Sequence, residues 1–317
     1  MRSTFYRLSI AIVIVSVLMG FTYADDNTYW VGTTGNWSDE ANWSNGEPAL
    51  GVYAYINNDG TAEVTDTGEC CENFCLGLSS NHTGQINIIS GTLWVNHVGF
   101  VGADGYGTVV QTGGTATYAD RLNINFHGTY NLGGTGHVEA GEIKLDHTFI
   151  QKENSTCTVS GDISIGISGY SISYELSDQA MLSAESEYIG YSGYYGKTAT
   201  FTHTDSATNT ADHIYIGYTP LGVGMYEFCQ GIISAQTEVI GYEGSGTLDQ
   251  KGGTNEADYI CLGDKSGSSG TYEISGGALT VAQFTIGHVG IGTLNIKDTD
   301  TLLTVTDTLI LGAGSQL

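Results

Sequence analysis

Residues 240–253 read IGYEGSGTLDQKGG, with glycines at 241, 244 and 246. That spacing lets backbone N–H groups cradle a phosphate when a helix follows. A second candidate is HTDSATNTADH, residues 203–213, where Asp205 and Asp212, around His203 and His213, offer the paired carboxylates that a hydrolase needs. A third is CCENFC, whose Cys70, Cys71 and Cys75 suit a metal or a set of disulfides. The fourth is aromatic: Tyr188, Tyr191, Tyr215, Tyr218 and Tyr242 flank similar glycines and would suit a wet ligand such as a glycan.

The phosphate reading fails because the loop repeats. VGADGYGTVVQTGG at 101–114, IGYSGYYGKTATF at 189–201, IGYTPLGVGMYEF at 216–228, LGDKSGSSGTYEISGG at 262–277 and IGHVGIGTLNI at 286–296 share its plan, and strand-like residues follow each. The anchor glycines are Gly77, Gly102, Gly166, Gly190, Gly217, Gly241, Gly263, Gly287 and Gly312. From Gly166 onward they are 24, 27, 24, 22, 24 and 25 residues apart, and the gap of 64 between Gly102 and Gly166 implies two degenerate anchors, one near Asn125. A period near 24 marks a solenoid whose unit is one turn.

The residues before the anchors, as in HIYIG, TEVIG and YICLG, alternate with period two, so positions −1 and −3 point inward and −2 outward. A second glycine-rich corner recurs at Gly113-Gly114, Gly252-Gly253 and Gly276-Gly277. The expectation is an all-β fold, a right-handed parallel β-helix of about ten coils and, at about 4.8 Å per coil, about 48 Å long. Its open end needs a cap. Trp30, Trp37 and Trp43 supply one, in preference to a sugar-stacking platform. The segments are then 1–24 as a signal peptide, 25–69 as a Trp-rich cap and 70–317 as the repeat domain. The last residues, LILGAGSQL, stop in mid-coil, which reads as a chain continuing in a longer protein.

Arg2, Arg7 and the apolar run Leu8–Gly20 form a leader, with cleavage expected after Ala24. Without it, seven cations face 34 acids, a net charge of −27. Such a surface repels nucleic acid and acidic polysaccharides. The mature chain is expected outside the cell, secreted or at the cell surface, without membrane insertion. Cys70, Cys71, Cys75, Cys157, Cys229 and Cys261 make an even count, which in an exported chain favours disulfides over a metal site. No residue is assigned to a metal. Weak, diffuse calcium binding is the most that the acidic surface suggests, because no D-x-D-x-D loop is present.

The opening YWVGTTGNWSDEANWSNGEPA fits W-x-G-x-x-G-x-W-x-x-x-x-N-W-x-x-G through Trp30, Gly32, Gly35, Trp37, Asn42, Trp43 and Gly46, with Pro48 one residue early. Together with the repeats over 29–317, it resembles exported bacterial proteins with autotransporter-associated β-strand repeats. That resemblance implies a β-helical surface protein of structural or adhesive role. It departs in lacking a translocating barrel and a Pro-Glu-Pro sorting tail.

Other β-helices are polysaccharide lyases and hydrolases, so a carbohydrate-active enzyme is the alternative. Arg121, the one arginine past the leader, and six lysines are scattered over different coils, and HTDSATNTADH reads as a solvated bulge. No catalytic residue is therefore assigned. The tyrosines are the candidate contact surface, for glycans or cell-surface components, although stacked tyrosines also stabilise a sheet by themselves.

Overall fold

The structure, a computed structural model, describes residues 27–167, 172–192, 197–299 and 301–317. The segment read as a leader, residues 1–24, lies outside the described residues. Two parallel sheets run the length of the molecule, one of 15 strands and one of 13. Each turn gives one strand to each sheet, and the thirteen strands along either path make a β-solenoid of about 12 turns. Ten coils was therefore an undercount. Asn27–Tyr29 and Thr34–Asn36, inside the segment read as a cap, already pair into the two sheets. The two hidden anchors are Asn125 and Asp146, which follow strands ending at Ile124 and Leu145. Their amides bond to Val101 and Ile124 in the turns before.

The alternation rule places the core. Position −1 forms one register: Ile56, Leu76, Val101, Ile124, Leu145, Ile165, Ile189, Ile216, Ile240, Leu262, Ile286 and Leu311. All but the last are fully buried, each contributing roughly 1.5–3 kcal/mol of apolar burial. A second ladder lines the other sheet. Tyr130, Phe149, Tyr174, Phe201 and Tyr226 stack inside the rod with centroids 4.6–4.9 Å apart and planes within 17°. Ring stacking here follows from parallel register, because equivalent positions sit one strand spacing apart.

Corners close each turn. The anchor glycines from Gly77 to Gly287 all have φ between 64° and 93°, whereas Gly312 does not adopt that left-handed form. Gly241 shows why a side chain is excluded: a Cβ would lie 2.3 Å from the Ser269 carbonyl oxygen of the next coil. At the second corner, Gly114, Gly253 and Gly277 are also left-handed, but Glu153, Asp178 and Asp205 take that role in three middle turns. There the carboxylate compensates for strain: Asp178 accepts from the Glu153 amide at 3.0 Å, and Asp205 from the Asp178 amide at 3.4 Å.

At the N-terminal end Trp30, Trp37 and Trp43 are 0–4% exposed and meet edge to face at about 5 Å. The Trp43 indole N–H donates to the Trp37 carbonyl at 2.8 Å. Their ring faces are turned into the protein and are not available as a sugar platform.

Candidate functional site

The corner geometry gathers the tyrosines. Because Gly190, Gly217 and Gly241 turn left-handed, positions −2 and +1 emerge on the same side of the rod. Tyr188 and Tyr215 stack at 5.3 Å and 7°. Tyr191, Tyr218 and Tyr242 form a second row, at 5.6 and 5.2 Å with planes 21° and 10° apart. The rows meet edge to face: Tyr188 on Tyr218 at 4.5 Å, Tyr215 on Tyr242 at 5.4 Å. All five rings are half-buried. The faces are thus spent on one another, and the Lys265 ammonium covers Tyr242 at 5.1 Å. The strip offers ring edges and polar tips to solvent, not open shelves. Burial, and then neighbouring rings, raise the Tyr218 hydroxyl above its ordinary pKa.

The same face changes character at either end. Toward the N-terminus, Tyr55, Cys75, Leu78, Phe100 and Ala103 line a mostly apolar hollow of about 290 Å³. Toward the C-terminus, the tyrosine positions become Cys261, Asp264 and His288, whose ligand atoms all lie within 4.8 Å of one another. The Asp264 carboxylate is 2.8 Å from His288 Nδ1 and 3.8 Å from Cys261 Sγ, and its other oxygen takes Lys265 Nζ at 2.8 Å. Although burial opposes it, the hydrogen bonds from Lys265 and then His288 hold the Asp264 carboxyl below its usual value. Burial raises the Cys261 thiol to about 11. This cluster was missed in the sequence because each residue looks unremarkable alone; the signal was their shared repeat positions.

A shallow groove follows the bend of the long strands. One part, about 460 Å³, is lined by Asp120, Arg121, Glu142 and Ser160 among others. Arg121 reaches Glu142 at 3.8 Å. His97 bridges Asp120 at 2.6 Å and Glu72 at 2.9 Å, and Asp120 first, then Glu72, raise its pKa. Another part, about 550 Å³, carries Asp212, Glu256 and Asp258.

The HTDSATNTADH group does not converge. His203 is fully buried, Asp205 is a corner residue, and Asp212 is exposed and accepts from Gln236. Nor is the stretch a bulge: Thr198–His203 and Thr208–Ile216 are regular strands.

Sequence reasoning also missed two polar modules inside the rod. Asn209 Nδ2 donates to Glu187 at 3.0 Å and to Tyr226 Oη at 3.0 Å, and Tyr226 in turn donates to His203 Nδ1 at 3.1 Å. Asn255 donates likewise to Glu238 at 3.1 Å and to Tyr272 at 2.9 Å, while Tyr272 donates to Gln250 at 2.6 Å. Burial lifts Glu187 to about 8 and Glu238 to about 7, with the asparagines opposing. Burial also pushes His203 down to about 4. The carboxyls are thus held protonated toward neutral pH, where a buried carboxylate would be costly.

The disulfide expectation is corrected: all six cysteines are free. Cys70 and Cys71 are consecutive strand residues on opposite faces, Cys71 buried and Cys70 only partly so. Cys157 sits in the core between Val138 and Leu182. Among the described residues no helix is long and apolar enough to cross a membrane. No protein-family model, curated protein or solved structure matches this chain.

Proposed function

We propose that this is a secreted, non-catalytic β-helical surface protein whose tyrosine strip is its adhesive face. The observation that carries the reading is the two-row packing of Tyr188, Tyr191, Tyr215, Tyr218 and Tyr242, half-buried on one side of the rod. Rings fixed by one another lose little freedom when a ligand docks, and their edges combine apolar C–H with polar tips. Neutral glycans or uncharged cell-surface components fit such a strip better than acidic ones, given the net charge of −27 without the leader. The leader and the resemblance to autotransporter-associated repeat proteins support export and surface display, and calcium would act only by diffuse screening.

The test compares wild type with Tyr191→Ser/Tyr218→Ser/Tyr242→Ser on a glycan array and on cells. Binding is lost and the β-sheet circular dichroism retained if the strip adheres. Equal binding by both proteins removes the strip, and an unfolded triple variant makes the tyrosines structural.

The second reading, a carbohydrate-active enzyme, has one observation in its favour: Arg121, Asp120 and Glu142 share a groove. Cleavage of any polysaccharide in a neutral and acidic panel, lost in Glu142→Gln, would establish it in place of the first.

A further inference from the structure

We propose that Cys261, Asp264 and His288 form a transition-metal site with an open coordination position, at the C-terminal end of the tyrosine face. The backbone preorganises it. Cys261 is the penultimate residue of the strand Thr254–Leu262, and Gly263, with φ 67°, turns Asp264 back onto the same side. Register then sets His288 beside Asp264, because Leu262 pairs with Ile286 and Gly287 repeats the corner. Corner hydrogen bonds fix both turns: the Asp264 amide donates to the Gly241 carbonyl at 3.0 Å, and the Gly287 amide to the Leu262 carbonyl at 2.8 Å.

The donor set and spacing choose the metal. A tetrahedral zinc ion with sulfur at about 2.3 Å and nitrogen and oxygen at about 2.0 Å holds its ligand atoms about 3.3–3.5 Å apart. Here the carboxylate oxygen is 3.8 Å from the sulfur and 2.8 Å from the imidazole nitrogen, and all three ligand atoms lie within 4.8 Å of one another, so side-chain shifts of at most about 1.3 Å admit an ion. Thiolate with imidazole suits Zn(II) or Co(II), and disfavours calcium and magnesium, which prefer all-oxygen sets. The thiol is fully buried and forms the floor, whereas His288 is 53% exposed, so the vacant fourth position faces solvent. A supporting contact is in place: Lys265 Nζ holds the second Asp264 oxygen at 2.8 Å. Binding displaces the thiol proton to solvent, with the sulfur lone pair forming the metal bond. The ion would join two neighbouring coils, since Cys261 and Asp264 lie on one and His288 on the next.

The test is titration of the reduced full chain with Co(II) as a spectroscopic probe, then calorimetry with Zn(II). Expected are one ion per chain, a thiolate-to-cobalt charge-transfer band, and no displacement by excess calcium. His288→Ala, an exposed position that leaves the core intact, should weaken binding at least about tenfold, and Cys261→Ser should abolish the band. A wild-type Co(II) spectrum without the thiolate band overturns the proposal, as does unchanged affinity in His288→Ala. Neither outcome bears on glycan binding by the tyrosines.

Discussion

Glu187 lies inside the solenoid with no exposed surface, and its Oε1 has no hydrogen-bond partner. Its folded pKa is about 8, raised from 4.5 chiefly by burial. A raised folded pKa means that the native state binds the proton more tightly. The associated stability is fully present below about pH 4.5 and is lost as pH rises through about 8. At about 1.36 kcal/mol per unit, the loss by pH 9 is at most about 5 kcal/mol, less whatever the coil recovers by relaxing around the charge. Glu187→Gln removes the titration while keeping shape and an oxygen for the Asn209 amide. It also brings an N–H to a site where Asn209 Oδ1 lacks a donor. Urea unfolding of both proteins from pH 5 to 9 reads the effect. The variant should match wild type near pH 5 and exceed it by several kcal/mol at pH 9. Parallel pH profiles, or a variant that is the weaker at pH 9, would refute the buried-proton account.

The buried histidine works in the opposite sense. His203 has a folded pKa of about 4 against 6.5, so its stability is present above about pH 6.5 and lost as pH falls toward 4, by at most about 3 kcal/mol. His203→Gln should fold and flatten that acid limb, because Gln151 already bonds to the carbonyl four residues on, as His203 does to Ala207; an unfolded or unchanged variant in acid titrations contradicts this. Gly241→Ala should cost about 3 kcal/mol or more through strain plus collision with Ser269, whereas Gly267→Ala, at φ 85° with open space around it, should cost about 1 kcal/mol. Equal losses in chemical denaturation would show that the approach of neighbouring coils is not what requires glycine at 241.

Local rules made the solenoid legible. Alternation before each anchor is a property of three or four consecutive residues, so Ile189, Ile216, Ile240, Leu262 and Ile286 could be placed inward from sequence and stand in one buried register. The two turns hidden between Gly102 and Gly166 were obscured because Asn125 and Asp146 close corners that glycine closes elsewhere. Glu187 and Glu238 occupy inward positions in the same alternation, but what tolerates them there is an asparagine one coil on and a tyrosine across the interior. Alternation says which way a side chain points and not what lies opposite. Cys261, Asp264 and His288, spread over 28 positions, meet only because parallel register stacks equivalent corners about 4.8 Å apart. The same register spends the tyrosine faces on one another, and the six cysteines stay unbridged. The sequence by itself determined the period, the corners and the inward ladder; the tertiary structure decided the pairings between coils, because these depend on register and on how each chain position stacks upon the next.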